Sequence, residues 1–159
     1  MITLDLQMAV DEAEQRAAAV PSWRRFEGWA EAALHDHLGA ELTIRVVGRD
    51  EMAELNRGFR GKEGPTNVLS FPFEAPPGVE MPLLGDIVIC AAVVAEEAAA
   101  QDKAPDGHWA HLTVHGCLHL LGYDHVQEDE AERMEALERT ILGRLGYPDP
   151  YAAEEGVQY

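Results

Sequence analysis

The residue pattern with the clearest chemical meaning is a set of three histidines in the last third of the chain. His115 and His119 are four residues apart, and His125 follows six residues later. On an α-helix, residues at i and i+4 lie on the same face, so the first two imidazoles could bind one ion. Gly122 could end that helix in a left-handed conformation, and the returning chain would bring His125 to the same point. Three imidazoles with one open coordination position are typical of catalytic zinc.

The spacing of these residues equals that of the metzincin peptidase motif, His-Glu-x-x-His-x-x-Gly-x-x-His. The glutamate of that motif is the general base, but this chain has Gly116 in its place. Because glycine cannot accept a proton, the pattern predicts a three-histidine metal site without ordinary zinc-peptidase chemistry. A purely structural zinc is the alternative, although structural sites are usually rich in cysteine. On a helix Cys117 would point about 200° away from His115, so we do not expect it to be a fourth ligand.

Composition limits the class of protein. The 159 residues are enough for one domain with a buried core, and 47% of them are hydrophobic. The sequence has neither an apolar run of membrane-spanning length nor a signal-peptide pattern, and its two cysteines, Cys90 and Cys117, form no CxxC motif. These features predict a cytoplasmic protein without disulfides and without a membrane partner.

The formal net charge of −17 is unfavourable for nucleic-acid binding, because phosphate groups are normally bound by a basic surface. The basic residues are unevenly distributed, however. Segment 45–62 has five basic residues against three acidic ones, and segment 15–26 has three arginines and no acid. One interpretation is a local positive groove on an acidic body. The other is that these arginines only neutralise neighbouring acids.

Hydrophobic periodicity predicts the elements that must position the histidines. Strands are predicted over residues 2–9, 41–48, 67–73 and 83–90. Helices are predicted from Ser22 to Gly39, from Asp50 to Gly58, and over residues 91–101, 105–121 and 128–145. On the last helix the inward-facing residues are predicted to be Met134, Leu137, Ile141 and Leu145.

The expected fold is therefore a single α+β domain. A mixed four-stranded sheet would pack against about five helices, with the metal-binding histidines on a central helix and on the turn that follows it. We expect the metallohydrolase domain to span residues 1–150, followed by a loose C-terminal tail over residues 151–159.

A second informative segment precedes and enters the third predicted strand. Residues 55–73 read LNRGFRGKEGPTNVLSFPF, a glycine-rich and basic turn that leads into a strand. Such a turn offers backbone N–H groups and guanidinium groups to an oxyanion. Further along the chain, the segment LGDIVI over residues 84–89 places Asp86 near the start of a strand.

Together these segments resemble the YbeY family of bacterial ribosomal RNA maturation factors. The metal signature of that family is matched by residues 115–125. Its Asn-x-x-aromatic-Arg-x-x-acid-x-Pro-Thr-(Asp/Asn)-Val-Leu-Ser-Phe-Pro block is matched by residues 56–72, with Phe59 where tyrosine is frequent. Its Gly-Asp-(Ile/Leu)-Val-Ile strand is matched by residues 85–89. The resemblance covers most of the chain from about residue 40 onward.

The resemblance implies a single-strand-specific, zinc-dependent endoribonuclease. Its implied roles are maturation of the 3′ end of 16S ribosomal RNA and ribosome quality control. One Zn²⁺ per chain is expected, bound by His115, His119 and His125 with water in the fourth position. The implied partners are single-stranded or ribosomal RNA and the small ribosomal subunit. A small-subunit ribosomal protein and an Era-type GTPase are further implied partners.

Arg60 is the candidate that would stabilise the negative charge that builds up on phosphorus, and its family counterpart is likewise held to be important for activity. The alternative is a structural salt bridge with Glu63 or Asp86. The sequence does not identify the general base. His111, one turn before His115, could relay a proton, orient a ligand or fill the core, and Asp124 could accept a hydrogen bond from a ligand imidazole.

The sequence is therefore consistent with three functions. The first is the metal-dependent ribonuclease, and the second is a metallohydrolase of another substrate class. The third is a non-catalytic ribosome assembly factor with a structural zinc. Nickel or cobalt could replace zinc in a site of three imidazoles.

Overall fold

The computed structural model describes residues 1–37, 39–124 and 126–151, which form four strands and six helices. In chain order the elements are β1 Thr3–Met8, α1 Glu12–Ala17, α2 Trp23–Ala33, β2 Glu41–Val47, α3 Arg49–Arg60, β3 Val68–Pro72, β4 Leu83–Cys90, α4 Ala91–Ala100, α5 Pro105–Leu120 and α6 Glu128–Arg144. The predicted α+β class is confirmed. This part of the chain has six helices rather than about five, because Glu12–Ala17, for which no helix was predicted, forms α1. None of the helices in this part of the chain is both long and apolar enough to cross a membrane.

The sheet is mixed, as predicted, and its strand order is β1-β2-β4-β3. β1, β2 and β4 are parallel, while β3 runs antiparallel to β4. The position of β3 at the edge accommodates Pro72, which has no N–H to donate to a further strand. Gly85 on β4 has a φ of 141°, and a Cβ there would clash with the carbonyl oxygen of Phe71. Glycine is therefore required where these two strands meet.

Helix α5 lies at the centre of the fold and packs against β3, β4, α2, α4 and α6. Most of its surface is buried, which explains why apolar residues occur nearly all round it. Trp109 is fully buried, stacks edge-on against Phe26 of α2 at 5.8 Å, and donates its indole N–H to the carbonyl of Ala18. The histidine face of α5 is thus carried by the most firmly packed helix of the domain.

Three predicted helix boundaries were wrong. Helix α2 ends at Ala33, and Gly39 instead forms the turn into β2 with a φ of 85°. Helix α3 is capped by Gly48 rather than by Asp50, which lies in its first turn, where a negative charge favours the helix dipole. The same helix continues past Gly58 and ends at Gly61, which adopts the left-handed conformation. Arg60 is consequently the last residue of a helix and not part of a loop.

Gly116 of α5 faces the sheet, and a Cβ at this position would lie 2.8 Å from the side chain of Ile87, which is fully buried. We expect Gly116→Ala to destabilise the protein by about 1–3 kcal/mol, because overpacking outweighs the gain in helix propensity. Urea denaturation would measure this change.

The matched control is Gly143→Ala on α6, where a Cβ meets no atom within 4 Å. This variant should be more stable than the parent by about 0.5–1 kcal/mol, since only helix propensity changes. Equal effects of the two substitutions would contradict the close packing of α5 on the sheet.

Candidate metal centre

Four histidines lie along one face of α5. The ring centroids of His108 and His111 are 6.1 Å apart, those of His111 and His115 are 6.2 Å apart, and those of His115 and His119 are 4.7 Å apart. The rings of His115 and His119 are nearly perpendicular, at 76°. The structure therefore brings together the two histidines whose spacing predicted a shared ion.

The chain reverses direction directly after these residues. Helix α5 ends at Leu120, and Gly122 has a φ of 102°. The N–H of Gly122 donates to the carbonyl of His119 at 3.0 Å, and the N–H of Tyr123 donates to that of Leu118 at 3.1 Å. These bonds satisfy carbonyls of the last turn, as expected for a glycine-ended helix. The third predicted ligand, His125, lies outside the described residues, so its place remains a prediction.

His115 and His119 open onto a cleft of about 610 Å³. The wall of this cleft comes from the end of α3, from β3 and from the turn after α5. Its other lining residues are Phe59, Arg60, Asn67, Val68, Leu69, Ser70, Pro72, Gly122, Tyr123, Asp124 and Val126. The two sequence segments that were singled out for their chemistry thus line the same cleft, although about fifty positions separate them in the chain.

Arg60 is exposed at the edge of this cleft. Among residues 1–37, 39–124 and 126–151 it has no carboxylate within ion-pair distance, so the alternative salt bridge with Glu63 or Asp86 is not formed. Other arginines are neutralised: Arg45 pairs with Glu51 at 2.7 Å, and Arg49 pairs with Glu96. The positive region of segment 45–62 is therefore reduced to the last turn of α3 and the residues just after it.

Sequence reasoning missed the acidic residue of this site. Glu138 of α6 is fully buried and accepts hydrogen bonds from His111 Nε2 at 3.2 Å, from His115 Nδ1 and from the hydroxyl of Tyr151. A signal was present, because Glu138 lies four residues after Met134 and three before Ile141, on the stripe predicted to face inward. A single acid on an apolar stripe indicates a buried charge with dedicated partners.

The charge state of Glu138 follows from these partners. Burial alone would raise the pKa of its carboxyl, but the hydrogen bonds and positive charge of His111 and His115 lower that pKa to about 2. An ionised carboxylate only accepts hydrogen bonds, so both imidazoles must donate to it. Since Nδ1 of His115 carries the proton, Nε2 is the nitrogen of that ring that can coordinate a metal ion.

A group of three residues, His111, His115 and Glu138, could hold a metal ion, because their ligand atoms lie within 4.8 Å of one another. This group shares only His115 with the predicted set of three histidines. Its atoms are hydrogen-bonded to each other, so an ion there would have to displace the imidazole protons. The pair of His115 and His119 also fits a metal, because His115 has the carboxylate partner that is usual for zinc-binding histidines.

Gly116 and Cys117 both face away from the metal centre. Gly116 packs on Ile87 in the core, so the position of the metzincin general base does not reach the cleft in this fold. Cys117 is fully buried, and burial raises the pKa of its thiol to about 12, which keeps it protonated at neutral pH. The expectation that Cys117 is no ligand is consistent with both observations.

Tyr151 belongs to the segment that was predicted to be a loose tail. Its hydroxyl donates to Glu138 and lies 3.3 Å from His111 Nε2, and its ring packs edge-on against that of His111 at 5.4 Å. The first residue of the predicted tail is therefore part of the metal centre, while residues 152–159 are outside the described part of the chain.

Comparison with known proteins agrees with this architecture. A cleft lined by paired histidines and an exposed arginine on an α+β fold has side chains that could bind a metal ion and an anionic substrate. The model of a family described as endoribonuclease YbeY matches residues 9–146. The chain belongs to the YbeY endoribonuclease family, as the resemblance predicted, and this membership implies an enzyme that cleaves RNA in ribosomal RNA maturation.

Among solved structures, the solution structure of TM1509 from Thermotoga maritima has a similar fold, with a TM-score of 0.55. The match covers 97% of this chain and 95% of that one, at 24% sequence identity. At this identity the likeness supports the shared fold alone.

The buried His108 at the far end of the histidine face contacts a carboxylate of α4. Its Nε2 lies 2.9 Å from Oε1 of Glu97, which also accepts from Asn67 at 3.1 Å. Burial raises the pKa of Glu97, but the hydrogen bonds from His108 and Asn67 outweigh it and hold that pKa below its ordinary value of 4.5. The ionised carboxylate therefore links α4, α5 and the start of β3.

A carboxylate whose pKa is lower in the folded state than in the unfolded chain stabilises the fold. This stabilisation is fully present above the pKa of the unfolded chain and is lost as the pH falls through the pKa of the folded state. We expect Glu97→Gln to be less stable than the parent at neutral pH and the difference to shrink as the pH falls below 4.5. Urea denaturation of both proteins at several pH values would measure it. A difference that does not change with pH would show that the charge of Glu97 is unimportant.

Proposed function

We propose that this protein is a single-strand-specific, zinc-dependent endoribonuclease that matures the 3′ end of 16S ribosomal RNA and takes part in ribosome quality control. Family membership supports the endoribonuclease class. The proposed metal-dependent cleavage of RNA is supported by one observation: His115, His119 and Arg60 line a single open cleft. Metal-binding imidazoles beside an exposed guanidinium suit a phosphodiester, whose transition state gains negative charge.

The proposed cofactor is one Zn²⁺ per chain, held by His115, His119 and His125. Support comes from the 4.7 Å spacing of the first two rings and from the carboxylate that engages His115 Nδ1. His125 is included on the strength of its spacing in the sequence. When bound, zinc supplies a Lewis acid and lowers the pKa of its water toward about 7, so that a nucleophile is present at neutral pH.

The chain's own residues bind and orient the RNA. Arg60 would bind a non-bridging phosphate oxygen and stabilise the charge that develops on phosphorus. Phe59 is 55% exposed at the cleft and packs against Phe71 at 4.4 Å, which keeps its ring in place. An exposed, supported aromatic ring beside a phosphate-binding arginine favours stacking of an unpaired base, in agreement with a single-stranded substrate.

The other parts of the proposal rest on the family resemblance. They are a cytoplasmic location, action at the small ribosomal subunit, and a small-subunit ribosomal protein and an Era-type GTPase as partners. We also propose that residues 1–150 form the metallohydrolase domain, to which Tyr151 adds its hydrogen bond to Glu138. The strongly acidic body, with its formal charge of −17, would restrict RNA contact to the positive end of α3.

The two candidate ligand sets can be separated by their zinc content. We expect His119→Ala to lose nearly all bound zinc, whereas His111→Ala should keep about one ion per chain, because His111 contacts Glu138 rather than the ion. Metal analysis after dialysis of equally loaded proteins would decide. Retention by His119→Ala together with loss in His111→Ala would place the ion among His111, His115 and Glu138 instead.

The role of Arg60 can be separated from general electrostatic attraction. We expect Arg60→Ala to lower cleavage of a labelled single-stranded RNA by about 10²–10³-fold, as for the loss of one donor to a developing oxyanion. Zinc content should not change, since Arg60 is on another element.

The control is Arg57→Ala, which removes the same charge one turn earlier on α3. It should lower cleavage by less than about 10-fold, because it weakens only long-range attraction for RNA. Normal cutting by the Arg60 variant would disprove the catalytic assignment. If the zinc-loaded parent cuts no RNA at all, the assembly-factor interpretation would replace the proposed function.

A further inference from the structure

Glu138 is a charged group in a place where charge is costly. Its side chain has no solvent exposure, and an isolated carboxylate in such a place would be strongly destabilising. It is compensated by three donors from two separate parts of the chain. His111 and His115 belong to α5, while Tyr151 lies beyond the end of α6.

Both carboxylate oxygens are occupied. Oε1 accepts from Nδ1 of His115, and Oε2 accepts from Nε2 of His111 and from the hydroxyl of Tyr151. This division holds the carboxylate in one orientation, because a partial rotation about its terminal bond would move both oxygens away from their donors. A carboxylate fixed in this way also fixes the ring of His115 and keeps the proton on Nδ1.

Tyr151 is itself held in place by its surroundings. Its backbone N–H donates to Asp149 at 2.8 Å, its ring lies 5.2 Å from the guanidinium carbon of Arg139, and Arg139 also pairs with Asp149 at 3.2 Å. On the other side, Lys103 donates to the carbonyl of Pro150 at 2.9 Å. The segment Asp149–Tyr151, here called the C-terminal clamp, is therefore attached both to α6 and to the turn before α5.

We propose that Glu138, held by the C-terminal clamp through Tyr151, is the positioning residue of the metal centre and sets the tautomer and orientation of His115. The proposal uses the part of the proposed function that makes His115 a metal ligand, and it does not depend on RNA as the substrate. A carboxylate behind a ligand histidine increases the basicity of the coordinating nitrogen and selects the nitrogen that coordinates. The clamp thereby makes the metal affinity of α5 dependent on residues from the C-terminal end of the domain.

The first test is Glu138→Gln, which keeps the shape of the side chain and an acceptor oxygen but removes the charge. We expect the zinc affinity, measured by competition with a chromophoric chelator, to fall by about 10–100-fold. In the metal-free protein, the Nδ1–H proton resonance of His115 should move upfield, since a neutral amide is a weaker acceptor than a carboxylate. The resonance checks the hydrogen bond itself, whereas a merely structural role of Glu138 would leave the zinc affinity unchanged.

The second test avoids any loss of folding that a change at a buried position could cause. Tyr151→Phe removes one donor to Glu138 at a half-buried position, and we expect it to lower the zinc affinity by about 3–10-fold, less than the full loss of the carboxylate's charge. The matched control is Tyr147→Phe, which removes a hydroxyl that donates to Asp106 at 2.6 Å, away from Glu138. The control should bind zinc as the parent does.

Three results would overturn the proposal. Zinc affinities within two-fold of the parent for both test variants would leave Glu138 with a structural role. An equal loss in Tyr151→Phe and Tyr147→Phe would show that the clamp acts only through stability. Complete loss of zinc in Glu138→Gln, together with full binding by His119→Ala, would make Glu138 a ligand itself. Failure of the zinc-loaded parent to cut RNA would reject the proposed function and leave these binding results unaffected.

Discussion

The close packing of α5 on the sheet is the constraint on which the rest of this structure depends. The helix lies near enough to β4 that Gly116 and the buried side chain of Ile87 leave no room for a Cβ. The residue at position 116 must therefore be glycine, and the histidines lie on a neighbouring face, about 100° round the helix from it. A buried helix holds the ring centroids of His115 and His119 4.7 Å apart, and such fixed spacing lowers the cost of ordering a metal site.

The same packing explains why the chain departs from the zinc-peptidase pattern. In the peptidase motif, the residue after the first histidine is the general base, but here that position faces the sheet. The carboxylate of this site comes instead from α6, and it contacts Nδ1 of His115. An acid behind the ligand tunes the metal, whereas an acid beside the ligand would take a proton from water.

The charge distribution distinguishes the cleft from the rest of the surface. The net charge of −17 would repel a polyanion, and the ion pairs of Arg45 and Arg49 neutralise much of the basic segment identified in the sequence. What remains positive lies at the last turn of α3, beside the cleft. A small positive region on an acidic surface suits the proposed single-stranded substrate, because a flexible strand needs few phosphate contacts.

Local information was sufficient for much of this protein. Helical spacing predicted that His115 and His119 share a face, a glycine with positive φ ends α5 as expected, and the hydrophobic pattern predicted all four strands. These features depend on contacts between residues near in sequence, so the pattern alone determines them. The sheet order, the approach of Arg60 to the histidines, and the partners of Glu138 and Tyr151 depend on contacts between distant segments. Only the tertiary structure decided them, because a buried acid on an apolar stripe signals a partner without identifying it.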